Sequence, residues 1–150
     1  MPQVSKKPLP KDLEEEMFRQ LWSSISKVKN PITASEFFSD LLTKTEKIML
    51  SKRFTIAILL IREKSPTDIK NAINVSFSTI GSVAGWVKNA RPHTKNILQS
   101  LSKNQNWQGI IDKIEELLDT LPPQYHTDWG KEAMKKRKRA WNRSIKKSLR

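Results

Sequence analysis

The chain has 150 residues and no cysteine, so we expect one main domain that lacks disulfides, thiolate metal sites and a cysteine nucleophile. It has 28 Lys and Arg against 15 Asp and Glu, a formal net charge of +13, which indicates a polyanionic partner such as nucleic acid. The first residues lack an apolar run, which predicts no signal peptide, and the longest apolar run, Ile56 to Ile61, is too short for a membrane span.

The N-terminal part is predicted to be a flexible arm followed by an amphipathic helix. Residues 1–11 are rich in proline and lysine, which is typical of a disordered arm. From Asp12 to Val28, apolar residues recur at helical spacing, and Phe18 and Trp22 widen their stripe. The acidic residues of the first turn complement the helix dipole and are not read as a metal site. Asn30-Pro31 is expected to end this helix.

Two further helices are predicted before residue 64. A short one runs from Ala34 to Leu41 and is capped by Thr33, and a long one opens at the Thr43–Glu46 capping box and reaches about Glu63. The long helix is apolar on nearly every side from Phe54 to Ile61. Such a helix must be surrounded, and in so small a chain we expect a second subunit to supply the cover. We therefore predict a homodimer, with the wide face of the first helix contributing.

Residues 65–87 carry the pattern of a helix-turn-helix. Apolar residues stand at the spacing that two short crossing helices require, namely Ile69, Ile73, Val75, Ile80 and Val83. Asn74 occupies the tight turn, where a positive φ is needed, Ser65 and Pro66 can start the first helix, and Ser76 or Ser78 can cap the second. Two ordinary core helices with a short loop remain an alternative. Gly81 and Gly85 indicate that a helix, DNA or a ligand approaches closely.

The remaining residues are predicted to form accessory helices and a basic tail. Residues 92–121 contain helical patterns at Thr94–Leu101 and Gln105–Leu121, and Leu121-Pro122-Pro123-Gln124 is a linker or a sharp stop. Residues 130–150 hold ten Lys or Arg and one acid, around a stripe of Met134, Trp141, Ile145 and Leu149. Like charges four residues apart should leave an isolated tail frayed until phosphates neutralise it.

The tail, residues 122–150, is therefore a candidate for nucleic-acid contact. The candidate residues are Lys135, Lys136, Arg137, Lys138, Arg139, Arg143, Lys146 and Lys147. A solubilising end and an amphipathic helix on a membrane surface are the alternatives for this segment.

Several short patterns occur between residues 36 and 91: an opening Leu42-Thr43-x-x-Glu46, a mid-helix Arg53, the run Ser65, Ile69, Lys70 and Asn71, the step Thr79-Ile80, and a closing Lys88. On these patterns, residues 36–91 resemble the Trp repressor-like family of dimeric, all-helical bacterial repressors, including its YerC/YecD branch. For residues 92–150, the C-terminal third, we expect no counterpart in that family. The resemblance implies an all-α, intertwined homodimer whose residues 12–91 dimerise and bind DNA, with the reading helices about 34 Å apart. It also implies that Lys70 faces DNA.

The family holds tryptophan between two arginines. Arg53 matches the first arginine, whereas Ser82 stands at the second, and serine can neither stack on an indole nor hold a carboxylate as arginine does. We therefore expect no cofactor and do not carry over tryptophan as a corepressor. Arg53, Gly81, Ser82 and Gly85 define a candidate pocket for a different effector or for none. Arg53 could equally bind phosphate or pair with a carboxylate.

The predicted DNA-reading surface is poor in long polar side chains. The start of the second motif helix presents Ser76, Phe77, Ser78, Thr79 and Ser82, none of which offers a bidentate contact to guanine or adenine. Direct base reading should be weak, with hydroxyls, water, a contact of Phe77 with a thymine methyl group, and DNA shape contributing. Phe77 could instead pack inward. Lys70, Lys88 and Arg91 would contact phosphates.

These patterns predict a sequence-specific, repressor-like transcriptional regulator in the cytoplasm, associated with the nucleoid. A sequence-independent binder of DNA or RNA that uses the basic tail, and a helical protein-interaction scaffold, are the alternatives. No phosphate loop, H-E-x-x-H motif or dinucleotide fingerprint is present, and His93 and His126 are isolated, so we expect no enzyme and no metal site.

Overall fold

The protein is described here by a computed structural model that covers residues 8–121 and 128–148, with side chains up to residue 145. These residues form eight helices and no strand, so the predicted all-α fold is confirmed. The helices are α1 (Lys11–Ser26), α2 (Pro31–Leu41), α3 (Lys44–Ile61), α4 (Pro66–Ile73), α5 (Phe77–Asn89), α6 (Pro92–Lys103), α7 (Gln105–Thr120) and α8 (Trp129–Ser148). None of them is long and apolar enough to cross a membrane. Most of the predicted arm, the proline linker, His126 and Leu149 lie outside the described residues.

The chain divides into two compact units, with the boundary inside α3 between Ile48 and Met49. In the first unit, α2 begins three residues earlier than predicted. The side chain of Asn30 accepts a hydrogen bond from the Thr33 amide (2.8 Å), and Pro31 occupies the first helical position. The predicted Thr33 cap is therefore wrong, because Asn30-Pro31 both ends the preceding segment and starts the next helix.

The start of α3 is the capping box that the sequence predicts. The Thr43 amide donates to Glu46 Oε2 (2.8 Å), and the Glu46 amide donates to Thr43 Oγ1 (3.3 Å). Hydrogen bonds from the Thr43 side chain and backbone lower the pKa of Glu46 below its usual 4.5.

The end of α3 is a Schellman turn on a residue other than glycine. Glu63 has a φ of 58°, and the amides of Glu63 and Lys64 donate to the carbonyls of Leu60 and Leu59. This turn supplies hydrogen bonds to two of the last carbonyl groups of α3. It also determines where the Lys64 side chain projects from the backbone.

The core of the second unit surrounds the end of α3. Ile56, Ala57, Ile58 and Leu59 are at most 1 % exposed, and the same cluster contains Ile69, Ile80, Val83, Leu98 and Ile111 from α4 to α7. Ile56 to Leu59 are therefore covered within one chain, so their apolar character no longer supports the homodimer, which stays a prediction. Helices α6 and α7 supply apolar cover that sequence periodicity could not assign to them.

Helices α6 and α7 are joined to α3 by polar contacts as well. The Arg62 guanidinium donates to Gln108 Oε1 (2.7 Å) and to the Ser102 carbonyl, and Gln108 in turn donates to Asp112 (2.7 Å). At the edge of the core, the ring of Phe54 meets that of Trp107 edge-on, with centroids 5.6 Å apart. Helix α7 also packs against α4, so the segment predicted to be accessory contacts the helix-turn-helix.

Candidate nucleic-acid interface

The helix-turn-helix consists of α4, a three-residue turn and α5. Its helix caps and its turn residue are among those that the sequence predicts. Ser65 caps α4 by accepting from the Asp68 amide (3.1 Å), and Ser76 caps α5 by accepting from the Thr79 amide (3.1 Å). Asn74 has a φ of 51°, so the predicted left-handed turn is confirmed. Of the two predicted caps for α5, the structure uses Ser76 and not Ser78.

One residue that positions the turn was missed by sequence reasoning. Lys52 Nζ, on α3, donates to the Asn74 carbonyl (3.1 Å) and so ties the turn to the supporting helix. The two residues are 22 positions apart. No local pattern could have identified this bond, because it depends on how α3 and α4 pack.

Helix α5 has one buried and one exposed face. Ile80 and Val83 are 2 % exposed and hold the helix against α4 and the core. Every predicted base-reading residue lies on the exposed side, namely Ser76, Phe77, Ser78, Thr79 and Ser82. The protein therefore leaves the first turns of α5 accessible from outside.

Phe77 does not pack inward. It is 51 % exposed, and Lys70 Nζ lies 4.7 Å from the centre of its ring. This cation–π contact joins the exposed sides of α4 and α5 and places a positive charge beside an accessible aromatic ring.

Three of the hydroxyl groups make bonds within the helix. Ser76 and Thr79 share a hydrogen bond (2.9 Å), and Ser82 donates to the Ser78 carbonyl (3.0 Å). A hydroxyl has one donor and two acceptor positions, so Ser82 keeps free acceptor capacity toward an external donor.

Gly81 and Gly85 lie in the open on the same side of α5. A Cβ atom added to either would meet no described atom within 4 Å, apart from its chain neighbours and the helix's own backbone. Within the described part of the chain, no other helix packs against these glycines. Close packing against another of the described residues is therefore not the reason for them.

The remaining predicted contact residues are accessible too. Lys88, Arg91 and Arg53 are exposed, as is Trp86 on α5, which sequence reasoning did not single out and which is 41 % exposed. The candidate effector residues Arg53, Gly81, Ser82 and Gly85 do not line the cavity between α7 and α8.

The cations of α8 separate into two groups. Lys136, Arg139 and Arg143 turn toward α7: Lys136 Nζ donates to the carbonyls of Asp119 and Leu121, and the two arginines bind the Asp119 carboxylate at 3.0 and 2.5 Å. Lys135, Arg137 and Lys138 are exposed, whereas the side chains of Lys146 and Lys147 lie outside the described ones.

The face that α8 turns inward is therefore its charged face. Glu132, Lys136, Arg139 and Arg143 are its partly buried residues, while Met134 and Trp141 are 72 % and 67 % exposed. Between α8 and α7, an open cavity of about 240 Å³ is lined by Lys64, Glu115, Lys135, Lys138, Arg139 and Asn142. Among the described residues, no group of three His, Cys, Asp or Glu is placed to hold a metal ion.

The family model described as Trp repressor protein matches residues 16–102, which is more than half of the chain and includes α2 to α5 and nearly all of α6. The match extends past residue 91, so the expectation that the family has no counterpart from residue 92 onward is wrong for residues 92–102. No curated protein matches the chain, and no solved structure matches it.

Proposed function

This chain belongs to the Trp repressor family, and from that premise we propose that it is a sequence-specific DNA-binding transcriptional regulator that reads DNA with α5. The observation that carries the proposal is the accessibility of Phe77 to Thr79 and of Ser82, while Ile80 and Val83 anchor the same helix in the core. A recognition helix needs this division, because its N-terminal residues must reach base edges while its other face stays fixed.

The exposed side of α5 suits a close approach to the major groove. At 100° per residue, Ser78, Gly81, Ser82 and Gly85 share one face, and none has a side chain longer than a hydroxymethyl group. The helix backbone can therefore come nearer to the bases than a helix with long side chains on that face. Base discrimination through serine hydroxyls and water is weaker than a bidentate arginine or asparagine contact, so DNA shape must contribute to specificity.

Phosphate contacts would fix the orientation of this helix. Lys70 and Lys88 are exposed on α4 and α5, and Arg91 follows α5 directly. The N-terminal amides of α5 add a positive end of a helix dipole next to Ser76 and Phe77. Contacts of this kind set register on the duplex and carry no sequence information themselves.

Selection from random duplexes tests the proposal. We expect the full chain to enrich one roughly palindromic site, and the double variant Ser78→Glu/Thr79→Glu to lose binding to that site, because two carboxylates would face the phosphates. Lys113→Glu, at an exposed position of α7, changes the net charge by the same two units and serves as the control for fold and added negative charge. Undiminished binding of the selected site by the Ser78/Thr79 variant would refute the assignment of α5.

A second candidate is supported by the charge of the tail. A binder that recognises nucleic acid without sequence preference would use the exposed cations Lys135, Arg137 and Lys138, since Lys136, Arg139 and Arg143 already have partners on α7. Such a protein would enrich no site, and its affinity would fall steeply with salt. The same selection experiment therefore separates the two functions.

We further propose that the protein acts as a homodimer. Helix α1 has no buried residue, and Leu13, Met17, Phe18 and Trp22 are 48–60 % exposed on it. Apolar side chains in this number on one helix are typical of a protein–protein interface. A twofold dimer would present two α5 helices to successive major grooves, about 34 Å apart.

A further inference from the structure

The cavity between α7 and α8 combines residues from three separate parts of the chain. Lys64 comes from the turn after α3, Glu115 from α7, and Lys135, Lys138, Arg139 and Asn142 from α8. The left-handed Glu63 places Lys64 at this position. The fold therefore adds Lys64 and Glu115 to three cations of the basic run at residues 135–139.

The charges of the lining are unbalanced. Four of the six residues are cations and one is a carboxylate. That carboxylate, Glu115, already binds Lys64, whose side chain is 26 % exposed, and lies 3.9 Å from Arg143 Nη1. One negative charge is therefore shared by two cations, and it cannot also neutralise Lys135 and Lys138.

Two cations face the cavity with little compensation. Lys135 has one carboxylate near it, Glu132 at 3.6 Å, and its side chain is 68 % exposed. Lys138 is exposed and makes no ion pair within the described part of the chain. Of the other two lining cations, Lys64 is paired with Glu115 and Arg139 with Asp119 (3.0 Å). Lys135 and Lys138 are therefore the lining cations that remain available to an external anion.

We propose that this cavity binds a phosphate group, either of a small free anion or at the end of a nucleic-acid strand. Its volume, about 240 Å³, lies below the roughly 300 Å³ at which pockets for drug-sized ligands begin, which favours a small anion. Lysine ammonium groups are common phosphate ligands, and the Asn142 amide adds a neutral donor. A phosphate monoester that still carries its second proton, whose pKa is about 6, can also donate a hydrogen bond to Glu115.

Calorimetric titration of the full chain with pyrophosphate and with inorganic phosphate tests this site. The variant Lys135→Gln/Lys138→Gln removes two lining cations, and Lys131→Gln/Arg137→Gln is its matched control. Both variants remove two exposed charges from α8, and Lys131, like Lys135, has one weak ion pair three residues away (3.5 Å). We expect the first variant to raise the pyrophosphate Kd about tenfold or more and the control to change it less than about twofold.

A second readout does not depend on the variants. In NMR spectra, pyrophosphate should shift the side-chain amide of Asn142, which lines the cavity, and leave that of Asn71, on α4, in place. Equal weakening by both double variants would show that the attraction is only diffuse charge and would overturn the proposal. So would the absence of saturable pyrophosphate binding at about 10 mM and physiological salt.

Two oligonucleotides distinguish the sources of the phosphate. If a short single strand with a 5′-phosphate binds about tenfold tighter than the same strand with a 5′-hydroxyl, and Lys135→Gln/Lys138→Gln removes that difference, the ligand is a strand end. If the two strands bind alike while pyrophosphate saturates the site, the ligand is a small anion. The Ser78→Glu/Thr79→Glu variant should keep this binding, so failure here and failure of the DNA-reading proposal are separable.

Discussion

The turn between α4 and α5 requires a residue with a positive φ, and asparagine adopts that conformation more readily than most residues other than glycine. Asn74 adopts a φ of 51°, a conformation that costs most L-residues roughly 1–2 kcal/mol. Its carbonyl accepts from Lys52, so the turn is held from α3 as well as by its own backbone. The angle between the two motif helices therefore depends on both the identity of residue 74 and a long-range bond.

Replacing Asn74 tests this dependence. We expect Asn74→Ala to lower the free energy of unfolding by about 1 kcal/mol, because alanine is strained at positive φ, and Asn74→Gly to leave it unchanged or slightly higher. Chemical denaturation measures both. Equal destabilisation by alanine and glycine would mean that the asparagine side chain, and not the backbone angle, stabilises the turn.

Gly81 and Gly85 are residues at which stability and binding should change in opposite directions. An added Cβ meets no described atom at either site, so Gly81→Ala and Gly85→Ala should each raise the free energy of unfolding by about 1 kcal/mol. If α5 approaches a duplex along this face, the same methyl groups should weaken binding to a selected site.

Gly109→Ala is the control for that comparison. Gly109 lies in α7, and a Cβ added there likewise meets nothing within 4 Å. This variant should be stabilised to a similar extent and bind the selected site as the wild type does. Unchanged DNA affinity in the Gly81 and Gly85 variants would show that this face does not approach the duplex.

Among the helices, α8 is unusual because it turns its charged face inward and its apolar face outward. Asp119 binds Arg139 and Arg143, and Lys136 bonds to the carbonyls of Asp119 and Leu121 at the end of α7. The sequence predicts a frayed tail because like charges repel along the helix. In the structure, carboxylate and carbonyl groups of α7 bind these cations and reduce that repulsion without any phosphate. Only part of the basic tail thus remains for an external anion.

The variant Asp119→Asn tests whether α7 holds α8 in this way. The Asp119 carboxylate is 17 % exposed and accepts charged hydrogen bonds from two arginines, so we expect the opening free energy of α8 amides to fall by about 1.5–3 kcal/mol in hydrogen exchange. Glu116→Gln, an exposed site on the same helix, should have little effect. Without the Asp119 carboxylate, Arg139 and Arg143 become available to phosphates, so the salt dependence of DNA binding should also become steeper. Unaltered exchange in α8 would contradict this role of Asp119.

At the scale of the whole molecule, two exposed surfaces differ in character, one apolar and one positively charged, and each suits a different kind of partner. The apolar side of α1, with Met17, Phe18 and Trp22, suits a second copy of the chain, whereas the exposed cations of α4, α5 and α8 suit a polyanion. Charge on the second kind of surface is screened by salt, while apolar burial on the first is not. Salt should therefore weaken DNA binding without dissociating the dimer.

Light scattering measures the predicted dimer directly. We expect the wild type to be dimeric at micromolar concentration and Met17→Glu/Trp22→Glu to be monomeric, because charges would enter an apolar interface. Ser23→Glu adds a charge at an exposed site of the same helix and should stay dimeric. A monomeric wild type at these concentrations would contradict the dimer.

The sequence by itself determined the features that depend on residues a few positions apart. The Thr43–Glu46 box, the Ser65 cap and the left-handed Asn74 are local, so their chemistry can be read without knowing what packs around them. For the cap of α5, the sequence narrowed the choice to Ser76 or Ser78, and the structure showed that it is Ser76. The same holds for the accessible residues at the start of α5, because the positions of Ile80 and Val83 fix which side of that helix is buried.

Only the tertiary structure decided which partner each face meets. Periodicity shows that the end of α3 must be covered, but whether α6 and α7 or a second subunit covers it depends on long-range packing. In α8, an apolar stripe and a charged stripe lie on different sides, and ion pairing with Asp119 brought the charged one inward. A helical pattern distinguishes faces, but the carboxylates and carbonyls that a neighbouring helix offers determine which face turns inward.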